Sequence, residues 1–163
     1  MLYTSATMLL WPAEARTQES NADVISTTVA VVTYVRGDAT GPIVVDPRVL
    51  GVEADRLSGF RSVRDSDVLT LLASVANVSI RHLEDVRQCS GPTPRDCRLA
   101  GAAMLLAVSD PLVDGDSAEI FVSVWSYDPT YKRQPVGTKD LRLSLKRDND
   151  SWRVVAETVL RQS

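Results

Sequence analysis

The sequence predicts an α+β domain in which a mainly antiparallel sheet packs against N-terminal helices. Three observations predict it. The C-terminal half alternates apolar and polar residues around short polar turns, the N-terminal half carries Val- and Leu-rich stretches at helical spacing behind capping residues, and the composition is ordinary for a globular chain. With 163 residues, 44% of them hydrophobic and 24% charged, the chain is long enough to bury a core within one domain. No repeat, low-complexity tract or linker divides it, so 21–163 is expected to form a single domain.

The first stretch at helical spacing is Ala22 to Arg36, whose Val, Ile and Thr content also suits a strand. Its flanks favour a helix: Ser20 and Asp23 have the spacing of a capping box, and Gly37 can supply the left-handed stop. Pro42 to Asp46 reads as a strand of the sheet or of its edge, ended by Pro47. Leu50 to Arg64 reads as irregular. Asp65 or Ser66 caps a second helix whose apolar face is Val68, Leu69, Leu72 and Val75, with Asp67 at its positive end. Asn77 to Gln88 mixes both periods and stays unassigned.

The remaining elements are strands. Ala102–Val113 and Ser117–Tyr127 flank Asp114-Gly115, the dipeptide of a type I′ turn. Leu141, Leu143 and Leu145 alternate with Arg142, Ser144 and Lys146, and Asp148 to Ser151 forms the next turn. In the last strand Trp152, Val154, Ala156, Thr158 and Leu160 are expected on one face, which puts Glu157 on the other. A meander of three or four strands results.

The net charge of −3 is spread without blocks of one sign, so neither nucleic acid nor an anionic membrane surface is an expected partner. Fifteen Arg against three Lys point to GC-rich, bacterial coding and not to recognition chemistry. No apolar run reaches the roughly 18 residues of a membrane span. Residues 1–20 hold a mildly apolar stretch, Met1 to Trp11, followed by Ala13-Glu14-Ala15 in the spacing of a signal-peptidase site, though no Lys or Arg precedes it. A cleaved signal peptide and a loosely docked arm both fit. The cysteines point to export. Cys89 and Cys97 bracket a segment with one Gly and two Pro that can turn the chain back on itself, so a disulfide in a periplasmic or secreted protein is expected. A zinc site lacks ligands beyond His82, and C-x-x-C is absent.

The order of helices, strand and long hairpins, closing in Ser151-Trp152-Arg153-Val154-Val155, resembles the NTF2-like (cystatin-like) superfamily over Ala22 to Leu160. That resemblance implies a curved antiparallel sheet wrapped as a cone around an N-terminal helix. The superfamily includes ketosteroid-isomerase-like enzymes, cyclases and non-catalytic binding or assembly domains, so it does not assign an activity.

No residue set amounts to a catalytic site. Asp110, Asp114, Asp116 and Glu119 fail the calcium-loop spacing and suit a solvated turn. Asp46 suits a turn, His82 a surface position, and Glu157 points away from the expected dry face. Nucleotide-cradling and hydrolase-elbow motifs are absent, so no cofactor or metal is expected. Arg36-Gly37-Asp38 is accounted for by a helix stop, and Asn77-Val78-Ser79 is a glycosylation sequon only in a secreted eukaryotic protein. Trp125, Tyr127 and Trp152 are the candidates for lining a ligand pocket, with core packing as the alternative. The reading is a non-catalytic exported domain that binds a small apolar ligand or a protein partner. Its alternatives are a small isomerase or cyclase using one buried carboxylate, and a homodimer formed through the sheet face.

Overall fold

A computed structural model describes residues 20–50, 59–63, 65–92, 96–126 and 137–162. Among the described residues, helices α1 (Asn21–Arg36), α2 (Ser66–Val75) and α3 (Leu83–Val86) accompany nine strands. These are β1 (Ile43–Asp46), β2 (Ser79–Ile80), β3 (Arg87–Cys89), β4 (Cys97–Leu99), β5 (Met104–Val108), β6 (Leu112–Asp114), β7 (Ser117–Ser126), β8 (Gly137–Asp148) and β9 (Ser151–Gln162). Seven strands make one mixed, mostly antiparallel sheet in the order β2-β1-β5-β7-β8-β9, with β6 also on β7, and β3 and β4 form a separate ribbon.

The segment with two readings is a helix, and its threonines explain how. Thr27 and Thr28 are fully buried, yet their hydroxyls donate to the carbonyls of Asp23 (2.6 Å) and Val24 (2.7 Å), so no polar group is stranded. Asp23 N–H donates to Ser20 Oγ at 3.2 Å, and Gly37, at φ 48°, closes the C-terminal end. In α2 Asp65 accepts from the amides of Asp67 and Val68. Only Val68 and Leu72 are buried there; Val75, expected on the apolar face, is 56% exposed, and it is the C-cap Ala76 that meets the core beside Leu72.

The β5–β9 meander follows the expected hairpins, with two changes of detail. Asp114 pairs with Ser117, and of the loop residues Gly115 and Asp116 only Gly115 has positive φ, the type II′ arrangement and not the expected I′. The I′ pattern falls at the next turn, where Asn149 and Asp150 both have positive φ (46° and 66°) between the paired Asp148 and Ser151. The Ala102–Val113 run is broken after Ser109, since Pro111 has no N–H for the ladder and Asp110 N–H turns away to Arg61 O (2.7 Å). Ser109 bridges the break: its N–H donates to Phe121 O, and its Oγ accepts from Phe121 N–H, both at 3.0 Å.

β1 is not an edge strand. It runs parallel to both β2 and β5, and all four of its residues are buried. The β1-to-β2 connection carries α2, which packs with α1 on one face; the connection from β2 to β5 carries α3 and the ribbon, whose Val86 and Leu99 pack with Val44 and Leu105 on the other. Crossovers of one hand in opposite directions along a sheet must lie on opposite faces. The main core lies between the sheet and α1 and α2, built from Val31, Val32 and Leu72 against Ile120, Val122, Leu143 and Leu145.

Candidate functional site

β9 departs from strict alternation, and the departure decides which groups meet. Leu145 pairs with Val154 while Ser144 pairs with Ala156, so Val155 is an extra residue in β9; a second falls at Leu160, between Arg161, opposite Asp140, and Val159, opposite Leu141. Each bulge reverses the facing of the residues beyond it. The first turns Glu157 to the helical side, where it accepts from Lys139 Nζ (2.5 Å) and Tyr34 Oη (3.1 Å). The Lys139 hydrogen bond, with that of Tyr34, outweighs the opposing effect of burial and holds the Glu157 pKa below the ordinary range. The expectation that Glu157 shares no face with Trp152 is therefore corrected, as is the placement of Thr158 with Trp152. The second bulge returns Arg161 to the opposite side, with its Nε 2.8 Å from Asp140 Oδ2.

Asp140 is one of two aspartates whose side chains are wholly inaccessible among the described residues. It faces away from α1, paired across the strand with Ser123, whose hydroxyl donates to Oδ1. Burial pushes its pKa up, and the opposing charge of Arg161 only partly offsets this.

Asp46, the other, ends β1 among donors. Arg48 donates from Nε (2.8 Å) and backbone N (3.1 Å) to Oδ1 and from Nη2 (2.6 Å) to Oδ2; Leu83 N–H adds 2.7 Å to Oδ2. Burial by itself would raise this pKa, but the Arg48 hydrogen bonds, then the Leu83 amide, outweigh it and hold the carboxyl below its usual range. Arg48 also reaches Glu84 Oε2 at 2.6 Å, and the half-exposed His82 places Nδ1 3.5 Å from Asp46 Oδ1. Asp46 thus pins the end of β1 to the start of α3, a larger role than the expected turn. Sequence reasoning treats Asp46 and His82 separately because 36 residues divide them.

Beside this staple, at the carboxyl ends of the parallel β1 and β5, Val49, Phe60, Arg61, Ser62 and Asp110 line an open recess of about 630 Å³. Ser62 Oγ accepts from Val49 N–H (3.0 Å), and the Phe60 ring lies 6.2 Å from that of Phe121 with the Arg142 guanidinium 5.8 Å from its centroid.

The predicted aromatic set does not converge. Trp125 sits opposite Leu105 and Thr138 on the face with α3 and the ribbon, whereas Trp152 sits opposite Arg147 on the α1 face. Trp152 is nearly buried, donates to Asp23 Oδ1 at 3.4 Å, and lies under the Arg147 guanidinium at 4.6 Å. Tyr127, like Met1 to Trp11 and Ala13 to Ala15, lies outside the described residues. Of the acidic run, Glu119 pairs with Arg142, Asp114 and Asp116 are exposed at the turn, and Asp110 borders the recess. Cys89 and Cys97 are joined, with sulfurs 2.04 Å apart, at a paired position of the β3–β4 ribbon. Among the described residues no group of three or more His, Cys, Asp or Glu could hold a metal ion, and no helix is long and apolar enough to cross a membrane.

Fold and site together define a mixed α+β domain, fastened by a disulfide, with one structural carboxylate staple and an open recess beside it. In comparisons with protein-family models, with curated proteins and with solved structures, nothing matches the chain.

Proposed function

We propose that the chain is a non-catalytic, NTF2-like binding domain of an oxidising, extracytoplasmic compartment, and that it takes its ligand in the recess between β1, β5 and Phe60. The observation that carries this reading is the saturation of Asp46, the buried acid beside the recess: four hydrogen bonds from Arg48 and Leu83 leave it no lone pair to offer a substrate proton. An aromatic wall, a guanidinium, a hydroxyl and a carboxylate around a recess of about 630 Å³ suit the binding of a small amphipathic molecule. The disulfide supports the compartment.

The test uses anilinonaphthalene sulfonate, an apolar anion, as the probe. Titration followed by amide NMR is expected to shift Phe60, Arg61, Ser62 and Asp110 and to lose that response in Phe60→Ala. Shifts confined to another face, or none at millimolar probe, overturn the reading. A second reading, an isomerase- or cyclase-type enzyme, rests on Asp140, whose burial raises its pKa in the direction that acid–base work uses but whose enclosed side chain must open to meet a substrate. Proton exchange of a ketone probe with deuterated water, catalysed by the wild type and lost in Asp140→Asn, would establish that reading instead.

A further inference from the structure

The two sulfurs of the disulfide sit in different surroundings. Cys89 belongs to β3, a strand exposed at all three positions, whereas Cys97 is 6% exposed on β4. One cation is placed asymmetrically between them: Arg87 Nη2 lies 3.3 Å from Cys97 Sγ, and Arg87 is itself in β3, two residues before Cys89. The neighbouring Arg98 donates to Gln88 Oε1 at 3.1 Å, so a second guanidinium borders the same ribbon.

Thiol–disulfide exchange distinguishes the attacked sulfur, which must be reachable, from the leaving sulfur, which departs faster when its thiolate is stabilised. We infer that the Cys89–Cys97 bond is a directional exchange site, at which a small-molecule or protein thiolate attacks Cys89 and Cys97 leaves as a thiolate held by Arg87. The incoming sulfur bonds to Cys89 Sγ as the Sγ–Sγ bond breaks, and its electron pair departs with Cys97. One disulfide is consumed and one formed, with the thiolate as the only co-reactant. Attack by Cys97 on the mixed disulfide expels the incoming thiolate and restores the ribbon. Cys89 would thereby be a reversible modification site for thiol compounds, in a role independent of the recess and of what binds there.

The experiment exposes the folded protein to excess glutathione at neutral pH, quenches with an alkylating reagent and maps both sulfurs by mass spectrometry. Glutathione on Cys89 with the alkyl group on Cys97 is the expected product. Arg87→Gln should slow adduct formation by about threefold, because the departing Cys97 thiolate loses the guanidinium that faces it, while Arg87→Lys restores most of the rate. Glutathione on Cys97, equal labelling of both sulfurs, or an unchanged rate in Arg87→Gln overturns the inference. The wild-type map alone decides the direction of attack, so the result stands even where a variant folds poorly.

Discussion

Asp46 and Asp140 are equally inaccessible to water, yet their pKa values move in opposite directions. Burial raises both. Asp46 meets it with four donors, two of them from one guanidinium gripping both oxygens, whereas Asp140 has one hydroxyl and one partly exposed guanidinium. Local chain geometry accounts for the difference. Asp46-Pro47-Arg48 folds back on itself, so Arg48 N–H and its side chain reach the carboxylate at a separation of two residues, and α3 starts with its first amide aimed at the same group. Arg161 reaches Asp140 only because a bulge at Leu160 re-aims it. A buried charge is secure where the fold supplies several fixed donors, and costly where it supplies few.

The largest expected effect is at the staple. Asp46→Ala strips Arg48 and the Leu83 amide of their acceptor and should cost about 3–5 kcal/mol in denaturant unfolding at neutral pH. A loss no larger than that of Asp140→Asn would break the contrast. Cys97→Ser frees the ribbon that follows α3 and should cost about 2.5 kcal/mol by loop entropy, leaving the Asp46 titration in place. Arg48→Gln should cost about 2 kcal/mol and raise the Asp46 pKa, since it removes the guanidinium hydrogen bonds that oppose burial; an unmoved pKa would show that the backbone amides of residues 48 and 83 suffice. Asp140→Asn should change stability by less than about 1 kcal/mol, because the amide keeps an acceptor for Ser123 and removes the cost of a buried charge.

The pH dependence separates the two groups by sign. The folded pKa of Asp46 is depressed, so its contribution is present above the unfolded aspartate value and is lost as pH falls through the lower, folded one. The folded pKa of Asp140 is raised, so its contribution is full below the unfolded value and is lost as pH rises from there through the folded one. Relative to the wild type, Asp140→Asn should therefore be most favourable above that window, and Asp46→Asn least unfavourable in acid. Calorimetric scans of both variants from acid to neutral pH read these slopes.

Legibility in the sequence tracks the range of the interactions. Helix α1 was legible from Ser20, Asp23 and Gly37, and the β8–β9 turn from Asp148-Asn149-Asp150-Ser151, because caps and tight turns are fixed within four residues. The parallel placement of β1 was not, since its partners Met104 to Ala107 lie about 60 residues on and a four-residue apolar run does not encode a direction. The bulges at Val155 and Leu160 leave no local signature, so every facing drawn beyond Val154 from simple alternation was open to reversal. Part of the Asp46 site was within reach: an aspartate at a strand end, followed by Pro and then Arg, is a local side-chain-to-backbone turn in waiting. Its meeting with Leu83 and His82 depended on the crossover and was not.

The most direct test of the division between the two carboxylates is a carbon-detected NMR titration of the aspartate side chains in the native protein. Asp46 is expected to titrate below the ordinary aspartate range and Asp140 above it, with Asp46 rising in Arg48→Gln. Asp46 titrating above that range, or the two carboxyls titrating together, would contradict the account.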